Sequence, residues 1–249
     1  MKNYNLNYWW QKFGQNYSSF IQLSEYVKNN EALNEHTNSL QITEIGIDDY
    51  IQVSINSLSE EAKKFFVTKT VNSIEKSLLI FSNQLIVLFV SIVDSMLEEF
   101  MKYMFINSTK SFFNILNTKE YESISKIHLM DVYNSESREE LLENHSEIIA
   151  KKILTGKMNE VFKRIEKITG YIIPTENKNE IIDLYDLRNK IVHELEQSYV
   201  STEQIKKYHD ACDTLRIETG KILKSMNISY DDPIGFEIEK FFKEQRERG

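Results

Sequence analysis

Apolar residues recur at three- and four-residue steps along most of the chain, the period of a helix. Near the start, Trp9, Phe13, Tyr17 and Phe20 step by 4, 4 and 3, which predicts a helix docking on a larger core rather than a base-stacking surface. Ser59-Glu60-Glu61 reads as a helix start, with serine as N-cap and acids in the first turn. Helical periodicity then runs to about Ile106. That is long for one straight helix, so a break is expected near Ser73 or Ser82-Asn83. Between Gln84 and Tyr103, Leu85, Leu88, Phe89, Ile92, Val93, Met96, Leu97 and Phe100 cover more than half the helical wheel, the pattern of a central helix with neighbours on several sides. Asp94 sits at the edge of that apolar arc, and Glu98 follows one turn later on the same side.

Residues 107–135 are mixed and end in polar turns. Glu136–Leu154 and Lys157–Thr169 are amphipathic, and Gly156 and Gly170 stand where they would end. Pro174-Thr175-Glu176 opens a helix over about 177–196. Ser201 with Gln204 three residues on fits a capping box. Behind it Ile205, Tyr208, Cys212, Leu215, Thr219, Ile222 and Met226 alternate steps of 3 and 4, a seam for antiparallel packing onto the preceding helix. Asp231-Asp232-Pro233 begins a last amphipathic piece carrying Phe236, Phe241 and Phe242. Only Leu40–Ile55 alternates with period two, in two β-branched runs around Gly46-Ile47-Asp48-Asp49, which predicts a small hairpin packed on helices. The expected architecture is an all-α, up-and-down helical bundle over residues 59–230. Residues 1–58 form an N-terminal extension that includes the hairpin, and 231–249 a tail helix.

Composition agrees. Seven Gly and two Pro in 249 residues leave few breaks. The net charge of −8 argues against a general nucleic-acid coat but leaves room for a local basic groove. A single cysteine, Cys212, allows no internal disulfide or cysteine-based zinc site, and fits a reducing cytoplasm. The longest uncharged run, Ser77–Val93, is seventeen residues with five polar ones, shorter than a membrane span requires, and reads as a buried helix. The first ten residues lack the apolar run of a signal peptide. His145 lies between Glu143 and Glu147 without a metal-ligand spacing, and is expected on a solvated face. No glycine-rich phosphate loop and no Ser or Cys nucleophile constellation is present.

The anomaly lies in Ile181–Glu196. On a helix, Ile181, Leu184, Tyr185, Leu187, Ile191, Val192 and Leu195 share one broad face, and Arg188 falls in its middle. A guanidinium cannot be deprotonated and is costly to bury unpaired. Asn189 and His193 lie one turn apart beside the stripe, on the side of Asp186. The run Leu-Arg-Asn-Lys-Ile-Val-His, late in an all-α chain whose earlier core helix carries Asp94, resembles the HEPN superfamily, whose ribonucleases carry Arg, four to six residues, then His, often with Asn after the Arg. The resemblance covers about residues 60–226.

It implies a homodimeric, metal-independent endoribonuclease without cofactor, whose cleft combines two motifs. Arg188, Asn189, His193 and Asp94 are its implied catalytic residues. The residue types suit the chemistry. Imidazole is the side chain whose reference pKa lies near neutrality, so His193 can act as general acid or base. Arg188 offers a planar fork to a phosphate, Asn189 can orient either, and Asp94 is the expected partner of Arg188. Arg188 and His193 stand about 140° apart on an ideal helix, which two facing helices would reconcile. RNA, with tRNA one candidate, is the implied substrate, cut by 2′-hydroxyl attack. The biological setting implied is a bacterial toxin or an abortive-infection, anti-phage effector with an antitoxin or defence-system partner and no membrane. Toxins neutralised by a partner nucleotidyltransferase often have Tyr two residues after the His, where this chain has Leu195. The competing expectation is a catalytically inactive HEPN-like dimerisation or binding module.

Overall fold

A computed structural model of the chain describes residues 3–45, 50–108, 110–111, 114, 127–193 and 198–248. Among these, nine α-helices and one hairpin appear: α1 (Leu6–Val27), α2 (Asn30–Ser39), β1 (Gln41–Ile45), β2 (Tyr50–Ser54), α3 (Glu60–Asn107), α4 (Leu129–Asn134), α5 (Arg138–Ile153), α6 (Met158–Thr169), α7 (Thr175–His193), α8 (Thr202–Ser225) and α9 (Pro233–Arg248). The fold is all-α with a small hairpin, as the periodicity predicts. The strands pair antiparallel, Gln41 opposite Ser54 and Ile45 opposite Tyr50. The expected turn at Gly46–Asp49 lies outside the described residues, as do Glu194–Gln197 after the motif.

α3 is the axis. It runs unbroken for 48 residues, so the expected break at Ser73 or Ser82-Asn83 does not occur. The reason is local. No Gly or Pro interrupts the stretch, and its polar side chains bond back to the preceding turn: Ser82 Oγ donates to the Leu79 carbonyl at 2.8 Å, Asn83 Nδ2 to the same carbonyl at 3.1 Å, and Ser77 Oγ to Ser73 at 3.0 Å. Ser59 caps the start as predicted, its side chain accepting from Ala62 N–H.

The second half of α3 is enclosed by α1, α5, α7 and α8. Phe89, Val93, Met96, Leu97, Phe100, Met101 and Met104 are wholly or almost wholly buried there. By length and composition α3 is apolar enough to cross a membrane. Those side chains nevertheless face helices of the same chain. α1 joins the same core through Leu6, Trp9, Phe13 and Phe20. Tyr17 is half-buried and stacks on His209 with ring centroids 4.2 Å apart. His145, expected in solvent, is buried on the inner face of α5, while its neighbours Glu143 and Glu147 turn outward to Lys102 at 3.1 and 3.3 Å. One short helix, α4, occupies part of the stretch read as polar turns.

Two predicted signals set the geometry of the motif helix. Gly170, at φ 70°, ends α6 in the left-handed conformation that glycine adopts without strain. Ser201 and Gln204 close a reciprocal capping box at the start of α8. Between them α7 lies against α3, α6 and α8.

Candidate active site at the open half of α7

The first half of α7 is anchored. Ile181 and Leu184 are fully buried, and Asn177 Nδ2 donates to the Ala211 carbonyl of α8 at 2.8 Å. Lys178 of α7 pairs with Glu166 of α6 at 2.7 Å. From Leu187 onward the cover thins. Leu187 and Ile191 are half-buried and Val192 is 39% exposed. On α3 alongside, Leu88 is 38% exposed, and Ser91, Asp94 and Ser95 are exposed as well.

Arg188 lies at this transition, half-buried. Its Nη1 donates to Asn189 Oδ1 at 3.1 Å, while its Nε is buried without a partner. No ion pair links it to any described residue. Asn189 is therefore engaged by the arginine and not by His193. His193 ends the described part of α7 and is exposed, five residues past Arg188. On an ideal helix that is about 7.5 Å along the axis and about 140° around it. One α7 therefore carries both groups on one rigid rod but aims them apart.

The structure brings Asp94 to this part of α7, but not into the contact expected of it. Its Oδ1 accepts from the hydroxyl of Tyr185 at 2.5 Å. Part of Asp94 remains in solvent, yet its carboxyl is crowded by α7. Loss of water pushes its pKa above the usual carboxylate range, and the Tyr185 hydrogen bond and the Arg188 charge oppose that without cancelling it. Tyr185 is pushed far upward, first by burial and then by the charge and hydrogen bond of Asp94. Its phenol stays protonated and acts as a donor. Arg188 thus feels Asp94 electrostatically while the carboxylate is held by another residue. Glu98, one turn beyond Asp94, faces Lys151 of α5 at 3.6 Å. Cys212, expected in the α8 seam, is fully buried behind Tyr185, and burial pushes its thiol well up.

Periodicity alone places Tyr185 with the apolar face and does not mark it as a site residue. A signal existed. It is the one hydroxyl on that stripe, one turn before Arg188, and a buried tyrosine hydroxyl needs a partner. Among the described residues, no three His, Cys, Asp or Glu side chains gather closely enough to hold a metal ion. A comparison of the chain with protein-family models, curated proteins and solved structures found no match.

Proposed function

We propose that this chain is a HEPN-type endoribonuclease that needs no metal and works as a homodimer. The observation that carries the reading is Arg188: a guanidinium set among apolar residues, bonded only to the adjacent Asn189, with a histidine exposed further along the same helix. A structural arginine in such a place is expected to be paired. An unpaired one suits an anionic ligand that arrives from outside. The half-exposed Leu187, Ile191 and Val192 flank it and suit a second copy of α7.

In this reading two α7 helices face each other across a two-fold axis, so that Arg188 and His193 from both chains surround one phosphodiester. One His193 takes the proton of the ribose 2′-hydroxyl, whose oxygen attacks phosphorus. The bond from phosphorus to the 5′-oxygen breaks, and the other His193, protonated, gives that oxygen a proton. Arg188 stabilises the charge developing on the phosphoryl oxygens. The products are a 2′,3′-cyclic phosphate and a 5′-hydroxyl. A toxin or anti-phage effector acting in the cytoplasm on RNA, with tRNA a candidate and an antitoxin or defence-system partner restraining it, is the setting that accompanies this chemistry.

Incubation of the purified chain with RNA in EDTA tests the reading. Cleavage that leaves cyclic phosphate ends, and that disappears in Arg188→Ala and His193→Ala, is expected. Unchanged cleavage in both variants would place the chemistry elsewhere. Mixing excess His193→Ala with the wild type adds a test of the shared cleft, since each heterodimer holds one His193 where the step needs two, and cleavage should fall faster than dilution alone would lower it. The same open apolar residues also favour the second reading, a non-catalytic dimerisation module. That reading wins if the wild type dimerises, cuts no RNA and leaves cells unharmed on expression.

A further inference from the structure

Asp94 and Arg188 are close enough to influence each other, carry opposite charges, and yet form no ion pair. Such a pair is the arrangement expected in a partly desolvated place. What stands in the way is visible. Tyr185, one helical turn before Arg188, donates to Asp94 Oδ1 at 2.5 Å and bridges α7 to α3. The guanidinium is turned to Asn189 instead, and its Nε is left without a partner.

We infer that Tyr185 is a positioning residue of the candidate site, which holds the Asp94 carboxylate away from Arg188 and so keeps the guanidinium free for a phosphate of the RNA backbone. The inference rests on the ribonuclease reading for its ligand, but the clamp itself is a property of the free chain. The phenol suits the task. Burial keeps it protonated, so it can only donate to the carboxylate. It offers one hydrogen bond, and its ring packs against the core. Glu98, on the same face of α3, is turned to Lys151 of α5. Without the hydroxyl, Asp94 would lose its fixed partner and the nearest cation is Arg188. A direct pair between them would compete with phosphate for the same N–H groups.

The test is a rescue. The probe is a single-stranded RNA oligonucleotide with 2′-O-methyl riboses, which the enzyme can bind but not cut. Tyr185→Phe should weaken its binding about tenfold, the scale of one charge-assisted hydrogen bond. The double variant Tyr185→Phe with Asp94→Asn should bind within about twofold of the wild type, since a neutral amide cannot form the competing ion pair. A purely structural loss would lower the melting temperature of Tyr185→Phe in step with its binding, so binding is compared at equal folded fraction. Unaltered binding in Tyr185→Phe, or a double variant as weak as the single one, overturns the inference while leaving the ribonuclease reading intact.

A second measurement needs no RNA. The Arg188 Nε–H resonance, assigned by its loss in Arg188→Lys, should move in Tyr185→Phe and return in the double variant. If it stays fixed, the clamp is refuted. If it moves and returns while the wild type neither binds nor cuts RNA, the clamp is real, but the ribonuclease reading and the phosphate role fall together.

Discussion

Helix α8 is closed along its whole length by its own chain, whereas α7 is closed only for its first half. Both carry apolar stripes, and both place charged residues in or beside them. On α8 these residues are paired. Arg216 is buried against Asp213 at 2.7 Å, and Glu218 is buried with Tyr171 and Lys221, each at 2.7 Å. On α7, Arg188 has only the amide of its neighbour. Similar residue types therefore have different meanings. A buried charge whose partners are all supplied by the fold holds the fold together. A half-buried charge without them, beside apolar residues left uncovered, marks where something else is to bind.

The comparison can be broken most directly by chemistry. His193→Ala and Arg188→Ala should each lower RNA cleavage by about 10²–10⁴-fold, the range for a general acid–base group or a charge-stabilising donor. Their melting temperatures should stay close to the wild type. A large loss of stability instead would mean that the open half of α7 is structural after all.

Packing gives the next largest effect. Leu215→Ala, at a fully buried position of α8, should cost about 2–5 kcal/mol in denaturant unfolding, and Leu187→Ala, half-buried on α7, well under half of that. Equal losses would erase the distinction, unless the Leu187 cost depends on protein concentration, which would sharpen it into evidence for a second copy. Removing the cap that starts α8, by Ser201→Ala, should cost about 1 kcal/mol in the same assay without changing cleavage per folded molecule.

The smallest effect concerns Asp94. Burial raises its carboxyl pKa in the folded chain, so its protonated form is the one the fold prefers. The stability it contributes is present below the ordinary aspartate range and is lost as pH rises through the raised value. Asp94→Asn should therefore melt slightly higher than the wild type at pH 7, and the gain should vanish near pH 3. Thermal scans at the two pH values check this, and a lower melting temperature at pH 7 would contradict it.

The sequence made the fold legible where one local rule decides the outcome. The 3–4 seam of α8, its Ser201–Gln204 box and the Gly170 stop depend on neighbours within a turn, and all three are found as expected. α3 runs unbroken where the sequence predicts a break, because serine and asparagine interrupt an apolar pattern without interrupting a helix. Their hydrogen bonds to the previous turn give the side-chain donors of Ser82 and Asn83 a partner, so both residues can be buried within the helix. His145 was misplaced for a related reason, since charged neighbours in sequence say little about which side of a helix faces the core. At the candidate site, Arg188 stood out by its place on an apolar stripe. The role of Tyr185 did not, because a bond between residues 91 positions apart is set by how α3 meets α7. No pattern within either helix carries that information.

The unbroken α3 also has a mechanical meaning. At about 1.5 Å per residue its 48 residues make a rod of about 72 Å. The second half is enclosed by the bundle, while the first half is covered on one side, by α2 and the turn that follows the hairpin. The first half reaches outward, with Phe65 and Ile80 half exposed, and its tip follows the hairpin through a short 3-10 turn at Ile55–Ser57. A tilt of about 5° pivoting near Leu85 would carry the Glu60 end, about 37 Å away, through about 3 Å. The rod joins the hairpin, with no hinge between, to the turn that carries Asp94. A displacement of the hairpin end would thus act on that turn as on the short arm of a lever.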